Sequence, residues 1–159
     1  MSESAFKVVG GPDQPVADYL GVLSRLNQYC HLVDRGEVDQ IAALFAEDAI
    51  LRPIYQGNVR LEGRAAIRNW YEIYDREVRA GRRHRRHRIT SPFVAVDGDE
   101  AKAWCYLDSS AVIIATNVIN VSAGRYEDEL IKIDGTWLFK ERVIILNHTH
   151  TIDSFNEFP

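Results

Sequence analysis

The hydrophobic positions between residues 16 and 35 recur at steps of three and four, which is the period of an α-helix. They form two neighbouring stripes, so we expect the helix to be buried over a wide arc. The first stripe contains Val16, Leu20, Leu23, Asn27, Cys30 and Asp34, and the second contains Val22, Leu26, Tyr29 and Val33. Gly36 ends the helix. Asn27 and Asp34 are polar residues on a stripe that we expect to be buried, so their presence needs an explanation.

The pattern after Gly36 predicts two more helices and then a sheet. Apolar side chains at helical spacing are Val38, Ile41, Ala42 and Phe45 in a short helix, and Ile67, Trp70, Tyr71, Tyr74 and Val78 in a helix over 63–79. Beyond residue 80 the period changes to two. Turn residues separate the predicted strands, which cover 49–55, 84–96, 100–115, 121–133 and 136–148. Helices followed by long antiparallel strands predict an α+β domain with its helices on one side of the sheet.

Length and composition predict one globular domain with a short segment at each end. The chain has 159 residues, of which 46% are hydrophobic and 26% charged, and these values are ordinary for a single domain. Glycines and prolines before residue 16 indicate a flexible arm over 1–15. We expect the domain to span 16–150 and a C-terminal tail to cover 151–159.

Charge and cysteine content narrow the expected partners and location. A net charge of −4 gives no reason to expect a nucleic acid or an anionic membrane as a partner. No apolar run approaches the roughly 18 residues that cross a bilayer, and residues 1–7 do not resemble a signal peptide. Cys30 and Cys105 have no Cys-x-x-Cys spacing, so we interpret them as free thiols in a reducing cytoplasm.

Short motifs spread over most of the chain carry a family resemblance. They are Leu32-Val33-Asp34-Arg35-Gly36, Leu44-Phe45-Ala46-Glu47-Asp48, Leu61-Glu62-Gly63-Arg64, Gly124-Arg125-Tyr126-Glu127-Asp128 and Asp134-Gly135-Thr136-Trp137. Together they resemble the SnoaL-like family of the nuclear-transport-factor-2-like superfamily, over about residues 16–148. The resemblance implies a cone-shaped, curved and mostly antiparallel sheet wrapped around three N-terminal helices. It is less specific for activity, because this scaffold hosts enzymes, carriers and structural subunits.

Two cofactorless lyases of that superfamily, scytalone dehydratase and hexachlorocyclohexane dehydrochlorinase, suggest roles for three residues. The resemblance implies that Asp34 and His87 form a proton-transfer pair and that Arg142 assists them. The dehydrochlorinase has a lysine five residues before its aspartate, where this chain has Tyr29. Ketosteroid isomerase is also similar in the first half, but its proton-abstracting aspartate falls at about Pro53 here. An isomerase of that type is therefore not expected.

Asp34 and His87 each also have an ordinary structural interpretation. A carboxylate could simply end the helix in solvent, although it would oppose the helix dipole there. His87 lies in a basic run over 82–88. This run could bind nucleic acid, lie at the edge of a subunit interface, or form an entrance that attracts anionic aromatic substrates. Since strand side chains alternate, His87 can enter the cone while Arg86 and Arg88 face solvent. The run contains no aromatic residues, so nucleic acid is not expected.

Arg142 lies among large apolar side chains on the last predicted strand and needs an anion there. That anion could be a leaving group or a structural partner such as Glu129. Alternation places Arg142 on one strand face with Leu138, Ile144 and Leu146, and opposite the face that carries Trp137, Phe139, Val143 and Ile145.

Aromatic residues could line a substrate pocket or could merely belong to the core. The candidates are Tyr29, Tyr55, Trp70, Tyr74, Trp104 and Tyr126. His148 and His150, with His31, could hold a metal, but no carboxylate cluster accompanies them. We therefore expect no metal and no cofactor.

The sequence thus predicts a cofactor-independent lyase for a small hydrophobic, aromatic molecule. His87 would take a proton, Asp34 would fix its tautomer, and Arg142 with Tyr29 or Tyr55 would hold a leaving group or an oxyanion. The reaction could eliminate water or halide, or release a small carbonyl fragment. The alternatives are a noncatalytic carrier, a beta-type subunit of a ring-hydroxylating oxygenase, and a polyketide cyclase. We expect a homodimer or homotrimer, because the outer sheet face needs cover.

Overall fold

The computed structural model describes residues 15–153 as three α-helices and six β-strands. The helices are α1 (Val16–Arg35), α2 (Val38–Ala42) and α3 (Arg64–Tyr74). The strands are β1 (Phe45–Pro53), β2 (Leu61–Glu62), β3 (Arg82–Asp97), β4 (Glu100–Ile113), β5 (Val118–Ile133) and β6 (Thr136–Ile152). A 3-10 turn, Ile54–Gln56, follows β1, and a π-helical turn, Asp75–Arg79, follows α3. Most of the predicted arm and most of the predicted tail lie outside the described residues.

The six strands form one curved, unclosed sheet in the order β2-β1-β6-β5-β4-β3. The pair of β1 and β6 is parallel, and all other neighbouring strands are antiparallel. Helix α1 packs against β3 and β6, while α3 packs against α2 and β1. The predicted α+β class, with three helices and a mostly antiparallel curved sheet, is confirmed.

Helix α1 buries a narrower set of side chains than its two stripes predict. The second stripe is buried throughout, but Val16 is 70% and Leu20 56% exposed. Asn27 is also exposed and donates a hydrogen bond to the carbonyl of Leu23. The first stripe lies at the edge of the surface that α1 packs against the rest of the domain. Other residues cover this stripe only near the C-terminal end of the helix. There Cys30 and Asp34 are buried.

A β-bulge in β6 changes which of its side chains face the core. Glu129 pairs with Glu141 and Leu130 pairs with Phe139, so Lys140 is an extra residue in β6. Phe139 and Arg142 consequently share the inner face, and both are fully buried. The prediction that they lie on opposite faces was wrong, because simple alternation does not survive a bulge.

Strand β3 contains two irregularities of the same kind. Arg83 pairs with Val112 and Arg86 pairs with Ser110. Two residues of β3 therefore lie between these pairs, opposite a single residue of β4. A second shift lies between Thr90 and Phe93. His84 and Ser91, one within each shift, have φ values of 54° and 50°, in the left-handed region that bulges commonly use.

Candidate active site

The side chains of Asp34 and His87 meet where the end of α1 reaches β3. Nδ1 of His87 lies 2.6 Å from Oδ1 of Asp34, and the backbone N–H of His87 donates to Oδ2 at 2.9 Å. Both carboxylate oxygens are therefore held by one residue. Because a carboxylate only accepts hydrogen bonds, we assign the proton to Nδ1. Nε2 is then the ring nitrogen left for a molecule in the cavity.

Two arginines stabilise the C-terminal end of α1, where backbone carbonyls lack helical partners. Arg85 donates to the carbonyl of Asp34 from Nε at 3.1 Å and from Nη2 at 2.7 Å. Arg79 donates from Nη2 to the carbonyl of Gly36 at 2.9 Å. Cationic groups are favourable at this end of a helix, and they offset the unfavourable position of the Asp34 carboxylate.

His87 forms part of the wall of a cavity of about 340 Å³ between the helices and the concave face of the sheet. One wall is aromatic, and Trp70 and Tyr74 stack in it with ring centroids 5.5 Å apart and planes 10° apart. Hydroxyl and amide groups from β4, β5 and β6 line another part of the cavity; these are Ser109, Ser110, Asn120, Ser122 and Thr149. The cavity thus combines a flat apolar surface with hydrogen-bonding groups and one imidazole.

Two tyrosine hydroxyls meet in the same cavity. The Oη atoms of Tyr29 and Tyr71 are 2.6 Å apart, and both side chains are fully buried. Burial raises the pKa of Tyr29 to about 12 against the opposing charge of Arg142. Burial likewise raises the pKa of Tyr71 well above its ordinary value. Both phenols therefore stay neutral at physiological pH, and the pair can donate a hydrogen bond.

Arg142 lies behind the cavity wall rather than on it. Its Nε and Nη2 atoms donate to the two carboxylate oxygens of Asp128 at 2.7 and 2.8 Å. Its guanidinium carbon is 3.9 Å from the ring centroid of Tyr29, 4.2 Å from that of Tyr126 and 4.0 Å from that of Phe139. Burial raises the pKa of Asp128, and the charge and hydrogen bonds of Arg142 oppose that rise.

The structure brings together most of the residues that the sequence singled out, but not all. The cavity lining includes His87 and five of the predicted aromatic residues, namely Tyr29, Tyr55, Trp70, Tyr74 and Tyr126. Trp104 is not in the lining. It alternates with buried Ala103 and Cys105 and packs on the other face of the sheet against Tyr106, with centroids 4.5 Å apart. The expected partner of Arg142 is also corrected, since Glu129 instead pairs with Lys102 at 3.4 Å.

Sequence reasoning missed the two arginines of the cavity wall. Arg85 is two residues from His87, so the alternation that points His87 inward also points Arg85 inward. Arg82 joins them because of the bulge in β3, which no simple pattern predicts. Serines at inward positions of β4 and β5, such as Ser109 and Ser122, were a further available signal.

The candidate metal ligands near the end of β6 are two exposed histidines. The rings of His148 and His150 stack with centroids 6.1 Å apart on an exposed part of β6, and His31 is exposed on α1. Within residues 15–153, no three His, Cys, Asp or Glu side chains are grouped so that they could hold a metal ion. In the same range, no helix has the length and apolarity to span a membrane.

Solved structures with the same fold come from several proteins. A candidate scytalone dehydratase from Novosphingobium aromaticivorans DSM 12444 is 21% identical, with a TM-score of 0.75 over 89% of this chain and 91% of that one. A candidate aromatic ring hydroxylase from Novosphingobium aromaticivorans is 23% identical, with a TM-score of 0.73 over 87% and 95%. The hexachlorocyclohexane dehydrochlorinase of Novosphingobium barchaimii LL02 is 16% identical, with a TM-score of 0.75 over 91% and 96%.

These TM-scores establish a shared fold. No curated protein sequence matches the chain. The SnoaL-like domain matches residues 14–143, which is most of the polypeptide. Helix α1, which carries Tyr29 and Asp34, and the strands β3 and β5, which carry His87 and Tyr126, all lie within that match. The chain therefore belongs to the SnoaL-like domain family.

Proposed function

We propose that this protein is a cofactor-independent lyase that acts on a small aromatic molecule. The observation that carries the proposal is the 2.6 Å contact between Nδ1 of His87 and Oδ1 of Asp34 at the wall of the cavity. An imidazole whose Nδ1 is held by a carboxylate has a fixed tautomer, and the carboxylate stabilises the imidazolium that forms on proton uptake. Nε2 is then suited to act as a general base.

The reaction is an elimination in which His87 receives the proton. A C–H bond of the substrate breaks, its proton passes to Nε2, and its electron pair forms the new double bond. The leaving group departs with the electrons of its own bond, as hydroxide or halide. Where hydroxide leaves, the imidazolium returns the proton and water is released; where halide leaves, the imidazolium gives the proton to solvent. In release of a small carbonyl fragment, a substrate hydroxyl gives its proton to Nε2 and its electron pair forms the new carbonyl as the adjacent C–C bond breaks. The carbon that keeps the electrons of that bond then takes the proton back from the imidazolium.

The tyrosine pair is placed to stabilise negative charge in such a reaction. Tyr29 and Tyr71 share one hydrogen bond between their hydroxyls, which leaves one O–H free to donate to an oxygen in the cavity. A neutral donor fixed inside a cavity is effective for a developing oxyanion. Arg142 does not take this role in the proposal, because Asp128 already binds it and it does not line the cavity.

The fold neighbours and the cavity dimensions support this assignment. One neighbour is a candidate scytalone dehydratase and another is a hexachlorocyclohexane dehydrochlorinase, so elimination is an activity associated with this scaffold. A volume of about 340 Å³ is at the small end of ligand pockets and favours a one- or two-ring substrate over a long polyphenol. The stacked rings of Trp70 and Tyr74 offer a flat apolar surface to such a ring.

The test is an elimination assay on aromatic β-hydroxy ketones, β-hydroxy acids and their β-chloro analogues. Formation of the conjugated double bond is followed by absorbance, and chloride release is measured separately. With the best substrate, His87→Gln and Asp34→Asn are each expected to lower kcat by roughly 10²-fold or more, as for loss of a general base. His148→Gln, an exposed histidine outside the cavity, is the matched control and should keep full activity.

The variants must be compared as folded proteins for the result to bear on chemistry. Circular dichroism and thermal unfolding of each variant should resemble those of the parent. A folded His87→Gln variant with near-parental kcat would refute the proposal. Activity that disappears in the parent after treatment with a chelator, and returns with a metal, would also contradict it.

A noncatalytic subunit is the second candidate, and two observations favour it. One fold neighbour is a candidate aromatic ring hydroxylase, and the outer sheet face exposes Tyr106, 49% accessible, beside Trp104. Light scattering on the purified chain distinguishes the two functions. We propose a homodimer or homotrimer for a self-sufficient enzyme, whereas an assembly subunit would be monomeric or aggregated without its partner.

A further inference from the structure

The permanently charged side chains that line the cavity, within residues 15–153, are both arginines. Arg82 and Arg85 line it beside the neutral imidazole of His87, and no aspartate or glutamate from the described part of the chain is in the lining. The chain as a whole carries a net charge of −4, so this local excess of positive charge is not a property of the general surface. A cavity lined by one sign of charge concentrates ligands of the opposite sign.

The two arginines differ in how their donors are used. Arg85 donates to three backbone carbonyls, through Nε and Nη2 to Asp34 and through Nη1 to Arg79 and Arg82, at distances of 2.7 to 3.1 Å. Four of its five N–H groups are therefore occupied. Neutral carbonyls satisfy these donors without cancelling the charge, so Arg85 is mainly a fixed positive charge beside the cavity.

Arg82 is positioned to bind a ligand directly. Its side chain is half-buried in the cavity wall, and within residues 15–153 it makes no hydrogen bond or ion pair. Tyr55 and Tyr74 line the same cavity, and the charge of Arg82 acts on both phenols. Burial raises the pKa of Tyr74, and the charge of Arg82 opposes that rise. Arg82 thus shares the cavity wall with these aromatic rings, and its side-chain donors have no partner among residues 15–153.

We propose that the substrate is an aromatic carboxylate and that Arg82 binds its carboxylate group. This inference rests on the proposed lyase function and specifies its substrate class. A carboxylate matches the planar, two-pronged donor geometry of a guanidinium, while the ring lies against Trp70 and Tyr74. The reacting carbon is then presented to Nε2 of His87. Arg85, at about 7 Å along the same strand from His87, adds charge but few free donors.

The probes are trans-cinnamate, which is both an aromatic carboxylate and an elimination-type product, and cinnamamide, its neutral counterpart of similar shape. Their binding to the full-length protein is measured by isothermal titration calorimetry near neutral pH. We expect cinnamate to bind at least about tenfold more tightly than cinnamamide. Added salt should weaken the binding of cinnamate and leave that of cinnamamide almost unchanged.

Substitutions assign this preference to a residue. Arg82→Gln should bring the two affinities within about twofold of each other. Arg86→Gln is the matched control, since Arg86 is an exposed arginine on the same strand and lies outside the cavity lining. It should keep the parental preference. A preference that survives Arg82→Gln, equal parental affinities, or no cinnamate binding at millimolar concentration would each overturn the inference.

The outcomes separate this inference from the proposed function. His87→Gln should abolish elimination while keeping the preference for cinnamate, because the anion contact belongs to Arg82. If the preference is absent but His87→Gln still abolishes activity, the lyase assignment stands and the carboxylate site fails. Phenyl phosphate serves as a third probe, and tighter binding of phenyl phosphate than of cinnamate would replace carboxylate by phosphate as the recognised group.

Discussion

Arg142 and Asp128 form a two-pronged ion pair whose side chains are both completely shielded from solvent. The guanidinium is also stacked among the rings of Tyr29, Phe139 and Tyr126. Two of these three rings line the cavity. The pair therefore supports the cavity wall from behind, through charge and aromatic contacts together.

Asp128→Asn should destabilise the protein strongly, because it leaves the buried guanidinium of Arg142 without an anion. We expect a loss of about 3–5 kcal/mol in the free energy of unfolding. Urea denaturation followed by fluorescence measures it. Glu129→Gln, at the next position of the same strand, removes only an exposed carboxylate and should change stability by less than about 0.5 kcal/mol. Equal effects of the two substitutions would contradict the structural role of the pair.

The order of elements and the candidacy of Asp34 and His87 could be predicted from the sequence, whereas the contact between these two side chains, 53 positions apart, could not. Helical spacing before residue 80 and a period of two after it, with turns at Gly98 and Gly135, specify an α+β order of elements. Asp34 was recognisable because a carboxylate at the end of an apolar helix needs a partner. His87 followed from the family resemblance and from strand alternation.

The side of the sheet that each residue faces was harder to predict from the sequence, because a bulge shifts the alternation of inward and outward side chains. An extra residue at Lys140 moved Arg142 to the face of Phe139, and a shift between Arg83 and Arg86 turned Arg82 into the cavity. Bulges depend on the register of two strands that are distant in the chain. A single strand's pattern does not contain that information.

Stability should fall in alkaline solution because buried acids resist ionisation in the folded state. Burial raises the pKa of Cys30 from 9.0 to about 11, of Cys105 from 9.0 to about 12 and of Tyr29 from 10.0 to about 12. Above pH 9 the unfolded chain loses these protons first, so it binds fewer protons than the folded chain. The associated stability is complete below pH 9 and is lost as pH rises towards 12.

The size of this effect is about 1.4 kcal/mol per pH unit for each group that ionises only in the unfolded chain. Urea unfolding at a series of pH values between 8 and about 10.5 should therefore show a declining free energy of unfolding. In the Cys105→Ala variant the free energy of unfolding should decline less steeply with pH, by roughly the contribution of one ionising group. This holds even though the variant is less stable than the parent at pH 8. A decline as steep as that of the parent would show that Cys105 is not protected from ionisation.

Gly124→Ala should disrupt the pairing of β5 with β6. A Cβ atom at Gly124 would overlap the carbonyl oxygen of Ile145, at a register shift where the backbones approach closely. Because the obstacle is backbone, we expect a loss of at least about 3 kcal/mol, at the upper end of overpacking effects. Gly81→Ala meets only an ordinary contact at 3.9 Å and should be close to neutral. Thermal unfolding compares the two, and a stable Gly124→Ala protein would contradict this register.

Arg85→Gln should impair catalysis by loosening the end of α1 that carries Asp34. Its guanidinium holds the Asp34 carbonyl through two hydrogen bonds, and small displacements of a proton-transfer pair are costly. We expect kcat to fall about 10- to 100-fold on a neutral substrate, with little change in KM. The short contact predicts a downfield NMR signal from the His87 Nδ1 proton in the parent, and Arg85→Gln should lose it. Arg79→Gln, which releases Gly36 but no atom of Asp34, should lower stability while keeping that signal. If both variants lose the signal equally, Arg85 acts only through general stability of the helix end and not through the position of Asp34.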